Sequence, residues 1–328
     1  MTDPATRPVV LVLGARGLLG RAVVKEYAQR GHPVVPAQVR WYDDEAATAD
    51  LRAAIRDLVA RADGAGWRVV WSAGAGVTSS TVAELSRERD RQETLVAELL
   101  SLSEDERLKG RVFFASSAGG VYSGSAYPPF TEDTRPVALA HYGRAKLAGE
   151  ALFTTLHAAG IEVRIGRLAN LYGPGQDLAK PQGLISQLSR SHHTAVPVNI
   201  YVSLDTLRDY LYVDDAARLV VDLVEHVDDE AGPGAATAVV KILASGRSVS
   251  VAALLGEMNR IVKRRIPVVL AASPHSRQQA RDLRLRSCVL TELDARPTTS
   301  LTVGVAATNA DVGARFRSRD VSGLRRLV

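Results

Sequence analysis

Pro8-Val9-Val10-Leu11-Val12-Leu13-Gly14-Ala15-Arg16-Gly17-Leu18-Leu19-Gly20 decides the fold of this 328-residue chain. The apolar, β-branched run over 9–13 reads as a strand buried on both faces. Glycines three apart then read as a turn into a helix that continues over 21–30 and stops at Gly31. In that context the three glycines differ in what they permit. Gly14 allows the tight turn, Gly17 lets backbone approach a pyrophosphate, and Gly20 lets helix pack on strand. The helix N-terminus favours phosphate charge. The segment is therefore read as a dinucleotide site that includes Arg16 and Leu18; the alternative is a tight turn without ligand.

Outward from this unit, strands are expected at 34–39, 68–72, 111–116 and 162–168, with helices across 51–61, 83–102 and the segment that carries Tyr142. The alternation predicts an α/β protein with a doubly wound parallel sheet, the Rossmann arrangement. After Tyr172 the rhythm breaks at Gly173-Pro174-Gly175. Helices near 184–191, 214–227 and 249–264 and a strand at 239–244 follow, with Ala231-Gly232-Pro233-Gly234 as a loop. The expected division is a dinucleotide-binding domain over 1–172, rejoined by 208–230, and a smaller C-terminal substrate lobe from 173–207 and 231–328.

Hydrophobic residues make up 46% of the chain and charged residues 23%, which is ordinary for a soluble globular protein. The polar start over 1–8 and the lack of any apolar run near the roughly 18 residues of a membrane span predict a cytoplasmic protein with no membrane contact. A single cysteine, Cys288, excludes a disulfide framework or a cysteine metal cluster within one chain. The net charge of +5 comes from 41 basic and 36 acidic residues. The densest basic group is Lys263, Arg264, Arg265, Arg277, Arg281, Arg284 and Arg286. Without an aromatic platform or a recognition helix it reads as solvated surface, and no nucleic-acid partner is expected. His192-His193 read as surface residues and Asp214-Asp215 as the start of a helix, so no metal is expected.

Chemistry concentrates in Tyr142-Gly143-Arg144-Ala145-Lys146. At a spacing of i and i+4 on a helix, the phenol and the ammonium share a face. A free phenol, with a pKa near 10, is a poor acid or base at neutral pH; a cation one turn away favours the phenolate. Alone, the spacing occurs often by chance and more readily describes an exposed helix pair. The second strand, which in NAD-binding units ends in an acid for the ribose 2′-hydroxyl, continues here as Val35-Pro36-Ala37-Gln38-Val39-Arg40, with no acid before Asp43. Arg40 and Arg16 are read as a clamp for a 2′-phosphate. NADP(H) is thus expected ahead of NAD(H), the alternative being two solvated arginines.

The glycine turn, Trp71-Ser72-Ala73-Gly74-Ala75, Ser116-Ser117, Tyr142-x-x-x-Lys146, Asn170-Leu171-Tyr172-Gly173-Pro174-Gly175 and Arg208-Asp209-Tyr210-Leu211-Tyr212-Val213-Asp214-Asp215 follow one another along the chain. Together, over roughly 8–310, they resemble the extended short-chain dehydrogenase/reductase family: nucleotide-sugar epimerases, dehydratases and ketoreductases. The resemblance implies that Tyr142 is the acid/base and that Lys146 binds the nicotinamide ribose. It also implies that Ser117 hydrogen-bonds the reacting oxygen and that Ala73 borders the cofactor. Asn170 and Arg208 are implied to bind the substrate diphosphate, with Arg281 or Arg277 as a second contact.

Departures from the family pattern narrow the reading. The family often places its catalytic hydroxyl four residues before the tyrosine of Val-Tyr-Gly; here that position is Ala118, and Ser117 lies one further back. Ser116 is read as a strand-end hydrogen bonder. The Asp-Glu pair of the family's 4,6-dehydratases is replaced by alanine and glycines, which argues against that reaction. The expected activity is NADP(H)-dependent reduction of a nucleotide-linked keto-sugar by a homodimer. The alternatives are an NAD-dependent nucleotide-sugar 4-epimerase and a non-catalytic NAD(P)-binding sensor.

Overall fold

A computed structural model describes residues 7–35, 37–74, 76, 80–180, 182–227, 237–272 and 280–318. The expected loop at 231–234 and Arg277 lie outside the described residues. The first half runs β1 (Val9–Leu13), α1 (Leu18–Gln29), β2 (Val34–Val35), α2 (Asp44–Ala62), β3 (Trp67–Trp71), α3 (Val82–Leu100), the single turn α4 (Glu104–Arg107), β4 (Gly110–Ser117), the single turn α5 (Ala118–Val121), α6 (His141–Thr154) and β5 (Glu162–Leu168). The second half runs β6 (Asn170–Tyr172), α7 (Leu184–Thr194), β7 (Val198–Ile200), β8 (Leu207–Tyr212), α8 (Val213–Glu225), β9 (Ala238–Leu243), β10 (Ser248–Ser250), α9 (Val251–Val262), β11 (Val268–Leu270), β12 (Asp282–Leu283) and α10 (Leu301–Arg317).

Six strands form one parallel sheet in the order β2-β1-β3-β4-β5-β9. Every residue of β1 and of β3 is buried, as expected of strands covered on both faces. The chain winds outward in both directions from between β1 and β3, so the loops after these two strands diverge and leave a crevice at the carboxyl edge. Side chains local to each helix fix where it starts. Asp43 caps α2 by accepting from the Ala46 N–H, and Thr81 with Glu84 forms a capping box on α3. β2 is only two residues long, shorter than the expected 34–39.

The strand expected in the smaller lobe belongs instead to the large sheet. β9 pairs with β5 from Val163 opposite Ala238 to Leu168 opposite Leu243. Its second half is buried, including Lys241, which donates to Ser287, Val289 and Asp294. α8 buries an apolar face in the same cluster as Val10, Val12 and Phe113. A separate core of Tyr172, Ile185, Leu188, Leu254, Met258, Ile266 and Val305 holds α7, α9 and α10 together. β6, β8, β10 and β12 form a small sheet between the two cores. His192 and His193 are half-buried, not surface residues: His193 Nε2 sits 3.2 Å from the Asn309 carbonyl on α10.

Candidate active site

At the end of β1, Gly14 adopts φ +88°, and a Cβ there would stand 2.6 Å from the Ala73 nitrogen. A Cβ at Gly20 would stand 2.2 Å from the Gly14 carbonyl oxygen. Both positions need glycine, because backbone approaches backbone on either side of the turn. Gly17 begins α1 with no side-chain cap and no acidic residue in the first turn. The free N–H groups there face no competing carboxylate, which suits a phosphate.

Two cavities meet at this turn. One, of about 740 Å³, is lined by Gly14, Val35, Gln38, Trp41, Glu88 and Arg91. The other, of about 900 Å³, brings together Leu18, Ser117, Tyr142, Lys146, Asn170 and Arg208. Arg16, Gly17, Arg21, Ser72, Ala73 and Gly74 line both. The glycine-framed turn, the uncapped helix start and two linked cavities fit a dinucleotide whose halves occupy the two chambers.

Two sequence expectations fail geometrically. Arg40 lines neither cavity; its guanidinium donates from Nε at 2.9 Å and Nη2 at 2.8 Å to the Asp50 carboxylate. That fork, with the Arg40 backbone N–H, holds the Asp50 carboxyl at about 2. The acid ten residues downstream captures the arginine that sequence reading aimed at a phosphate. Arg281 is likewise outside the cleft and paired with Asp205. Three arginines absent from the sequence reading do line the cavities: Arg21, which donates to the Gly175 carbonyl, Arg91, which donates to Asp44, and Arg315, which donates to the Gln176 carbonyl. Arg21 directly follows Gly20, so its place in the first turn of α1 was available as a signal.

Tyr142 and Lys146 project from successive turns of α6, with the Lys146 nitrogen 5.7 Å from the Tyr142 ring centre. The phenol ring rests on Gly120, where a Cβ would come within 3.1 Å of it. Ser117 ends β4 and caps the following turn by accepting from the Gly120 N–H at 3.2 Å, which leaves its O–H to donate. Ser116 donates to Glu150 at 2.5 Å. Glu150 in turn accepts from Arg167 at 3.0 and 2.7 Å, and Arg167 donates to the Tyr122 hydroxyl at 2.6 Å. This buried network fastens β4, α6 and β5 beneath Tyr142 and Lys146. Glu150 continues their i, i+4 series, and sequence reading passed over that signal.

Lys146 Nζ donates to Glu88 on α3 at 3.1 Å, and both side chains are largely buried. Burial lowers the lysine pKa, but Glu88, Tyr142 and Glu150 outweigh it and raise the value above its ordinary one. At the far end of the cleft, burial pulls the Arg208 guanidinium below its usual pKa against Tyr210 and Asp282, and its Nη1 donates to the Leu207 carbonyl at 2.8 Å. Asn170 donates to the Asp209 carbonyl at 3.2 Å. Burial pushes Tyr210 up to about 12 and raises Tyr172, so these two phenols stay neutral over the working range. Among the described residues no helix is long and apolar enough to cross a membrane.

A parallel sheet with a glycine-framed phosphate turn and a Tyr–Lys helix defines an NAD(P)-binding protein of the short-chain dehydrogenase/reductase type. The sequence matches the NAD dependent epimerase/dehydratase family over residues 10–238, and the chain belongs to that family. It is 30% identical over 122 residues to dTDP-4-dehydro-6-deoxyglucose reductase of Escherichia coli, a stretch covering 37% of this chain and 38% of that enzyme. It is 35% identical over 112 residues to a putative UDP-glucose 4-epimerase of Methanocaldococcus jannaschii, covering 33% and 36% of the two chains. The matched stretches thus span under half the length of these curated relatives. Among solved structures, UDP-glucose 4-epimerase of Thermotoga maritima with UDP-glucose superposes with a TM-score of 0.75 at 20% identity, over 94% of this chain and 99% of that one. UDP-glucose 4-epimerase of Thermus thermophilus with NAD gives 0.76 at 19% identity, over 93% and 99%.

Proposed function

We propose that this protein is a nucleotide-sugar oxidoreductase that reduces a nucleotide-linked keto-sugar, using a nicotinamide cofactor taken from solution. The observation that carries the reading is the single cleft lined by Tyr142 and Lys146 together with Arg16 and Gly17 of the glycine turn and with Asn170 and Arg208. The cofactor, when bound, supplies the hydride. Tyr142 gives its phenolic proton to the carbonyl oxygen as that oxygen becomes a hydroxyl, and Lys146 stabilises the phenolate left behind. Ser117 donates its O–H to the same oxygen and orients it. Arg208 and Asn170 meet the diphosphate, where a guanidinium suits phosphate oxygens.

NADP(H) is the proposed cofactor, supported by the lack of an acid between β2 and Asp43 and by Arg16 at the glycine turn. Arg40 no longer contributes to that preference. A 4-epimerase with retained NAD is the second reading, favoured by the fold of the two epimerases above. The absorbance and mass spectrum of the purified protein separate the two: reductase chemistry predicts little bound cofactor and NADPH oxidation on addition of a keto-sugar nucleotide. Stoichiometric bound NAD overturns it in favour of epimerisation. A homodimer belongs to the same proposal and is read by light scattering.

A further inference from the structure

The Glu88–Lys146 pair stands where the two cavities join. Glu88 lines the chamber beside the glycine turn, and Lys146 lines the cleft that holds Tyr142. A dinucleotide spanning both chambers passes beside them, because the 3.1 Å hydrogen bond closes the space between. The loop after β3 makes room for the carboxylate: a Cβ at Gly74 would stand 2.9 Å from Glu88 Oε1, and one at Gly76 would stand 3.3 Å from Oε2. On its other side, Gln92 Nε2 lies 3.4 Å from Oε1. The carboxylate is thus fixed by glycine-lined space and by the ammonium, yet it remains on the cavity wall.

A carboxylate beside an ammonium presents an acceptor next to a donor. That arrangement matches a vicinal diol, which donates through one hydroxyl and accepts through the other. An amide or alkyl side chain at position 88 would supply no anionic acceptor.

We propose that Glu88 is a positioning residue for the cofactor: with Lys146 it clamps the diol of the nicotinamide ribose, and it holds the lysine in place before the cofactor arrives. This rests on the oxidoreductase reading, but binding experiments test it without any sugar substrate. Lys146, which Glu88 meets at 3.1 Å, lines the Tyr142 cleft, so the clamp acts on the nicotinamide half. Fragments that end at the diphosphate do not reach it.

The experiment compares wild type with Glu88→Gln by calorimetry or fluorescence titration, using NADPH, NADH, ADP and 2′,5′-ADP. The clamp predicts that Glu88→Gln weakens the preferred dinucleotide at least about ten-fold and leaves the matching adenosine fragment within about two-fold. Equal weakening of both, or no change in either, overturns it. If Glu88→Gln does not fold, Glu88→Asp keeps the charge and shortens the reach, and the same selective loss is expected; a uniform change again overturns the proposal. Wild type that binds no nicotinamide dinucleotide defeats the oxidoreductase reading together with the clamp, an outcome distinct from a selective failure of the variant.

Discussion

Replacing Glu150 by glutamine should unsettle the site from beneath. Glu150 and Arg167 are each 8% exposed, and two short hydrogen bonds join them. The amide keeps the shape but removes the charge, which leaves the Arg167 guanidinium buried without its counter-ion. Breaking a buried pair from one side costs about 3–5 kcal/mol. For a chain of this size that corresponds to a fall in Tm of about 4–7 °C. One amide oxygen is left to accept from both Ser116 and Arg167, which loosens the strand end one residue before Ser117, so kcat should fall along with stability. Thermal and urea unfolding of Glu150→Gln, Arg167→Met and the double variant give the coupling. The double variant should lose clearly less than the sum of the singles. A Glu150→Gln protein within about 0.5 kcal/mol of wild type, or strictly additive losses, would refute the reasoning.

Tyr142→Phe should lower kcat by at least about 10²-fold, the lower range for a lost general acid, with cofactor affinity within a few-fold by titration; unchanged turnover would remove Tyr142 from the mechanism. Gly20→Ala forces a methyl to 2.2 Å from the Gly14 carbonyl oxygen. The turn must open, and dinucleotide affinity measured by fluorescence should fall more than about ten-fold. Arg40→Ala should leave the NADPH-to-NADH affinity ratio unchanged, because Asp50 already holds that guanidinium, whereas Arg16→Ala should lower the ratio. The Arg40–Asp50 pair has its own pH signature. Asp50 titrates at about 2, below an unfolded value near 3.9. Its small contribution is therefore present above pH 4 and lost as the pH falls from there toward 2. Acid unfolding of Arg40→Ala against wild type reads it, and the two curves should converge below pH 2.

What was legible in the sequence was what depends on local spacing. The strand-turn-helix of 8–20 and the Tyr142–Lys146 pair are each contained in one short segment, and there the chain follows its own periodicity. Pairings between distant segments were not legible. Glu88 reaches Lys146 across 58 positions, and Arg167 reaches Glu150 from a different strand. Only the packed sheet brings these together. Arg40 was misread because a charge pattern says nothing about which acid lies nearest once α2 has folded. α10 escaped notice for another reason. Its buried positions include Gly304, Thr308 and Gly313, so close packing onto Tyr172 and His193 replaces the apolar stripe that marks a helix. β9 was assigned to the wrong sheet because a short apolar strand looks the same in either lobe.

Transfer of deuterium from reduced cofactor to sugar addresses the proposed chemistry most directly. The wild-type protein is incubated with NADPH deuterated at both nicotinamide C4 positions and a nucleotide-linked 4-keto-sugar, and the product is analysed by mass spectrometry and proton NMR. The mechanism at Tyr142 and Lys146 predicts a secondary alcohol carrying one deuterium on the carbon that was the ketone, formed in step with loss of absorbance at the reduced nicotinamide band. A sugar recovered without deuterium, or no product from any keto-sugar nucleotide with either cofactor, would contradict it.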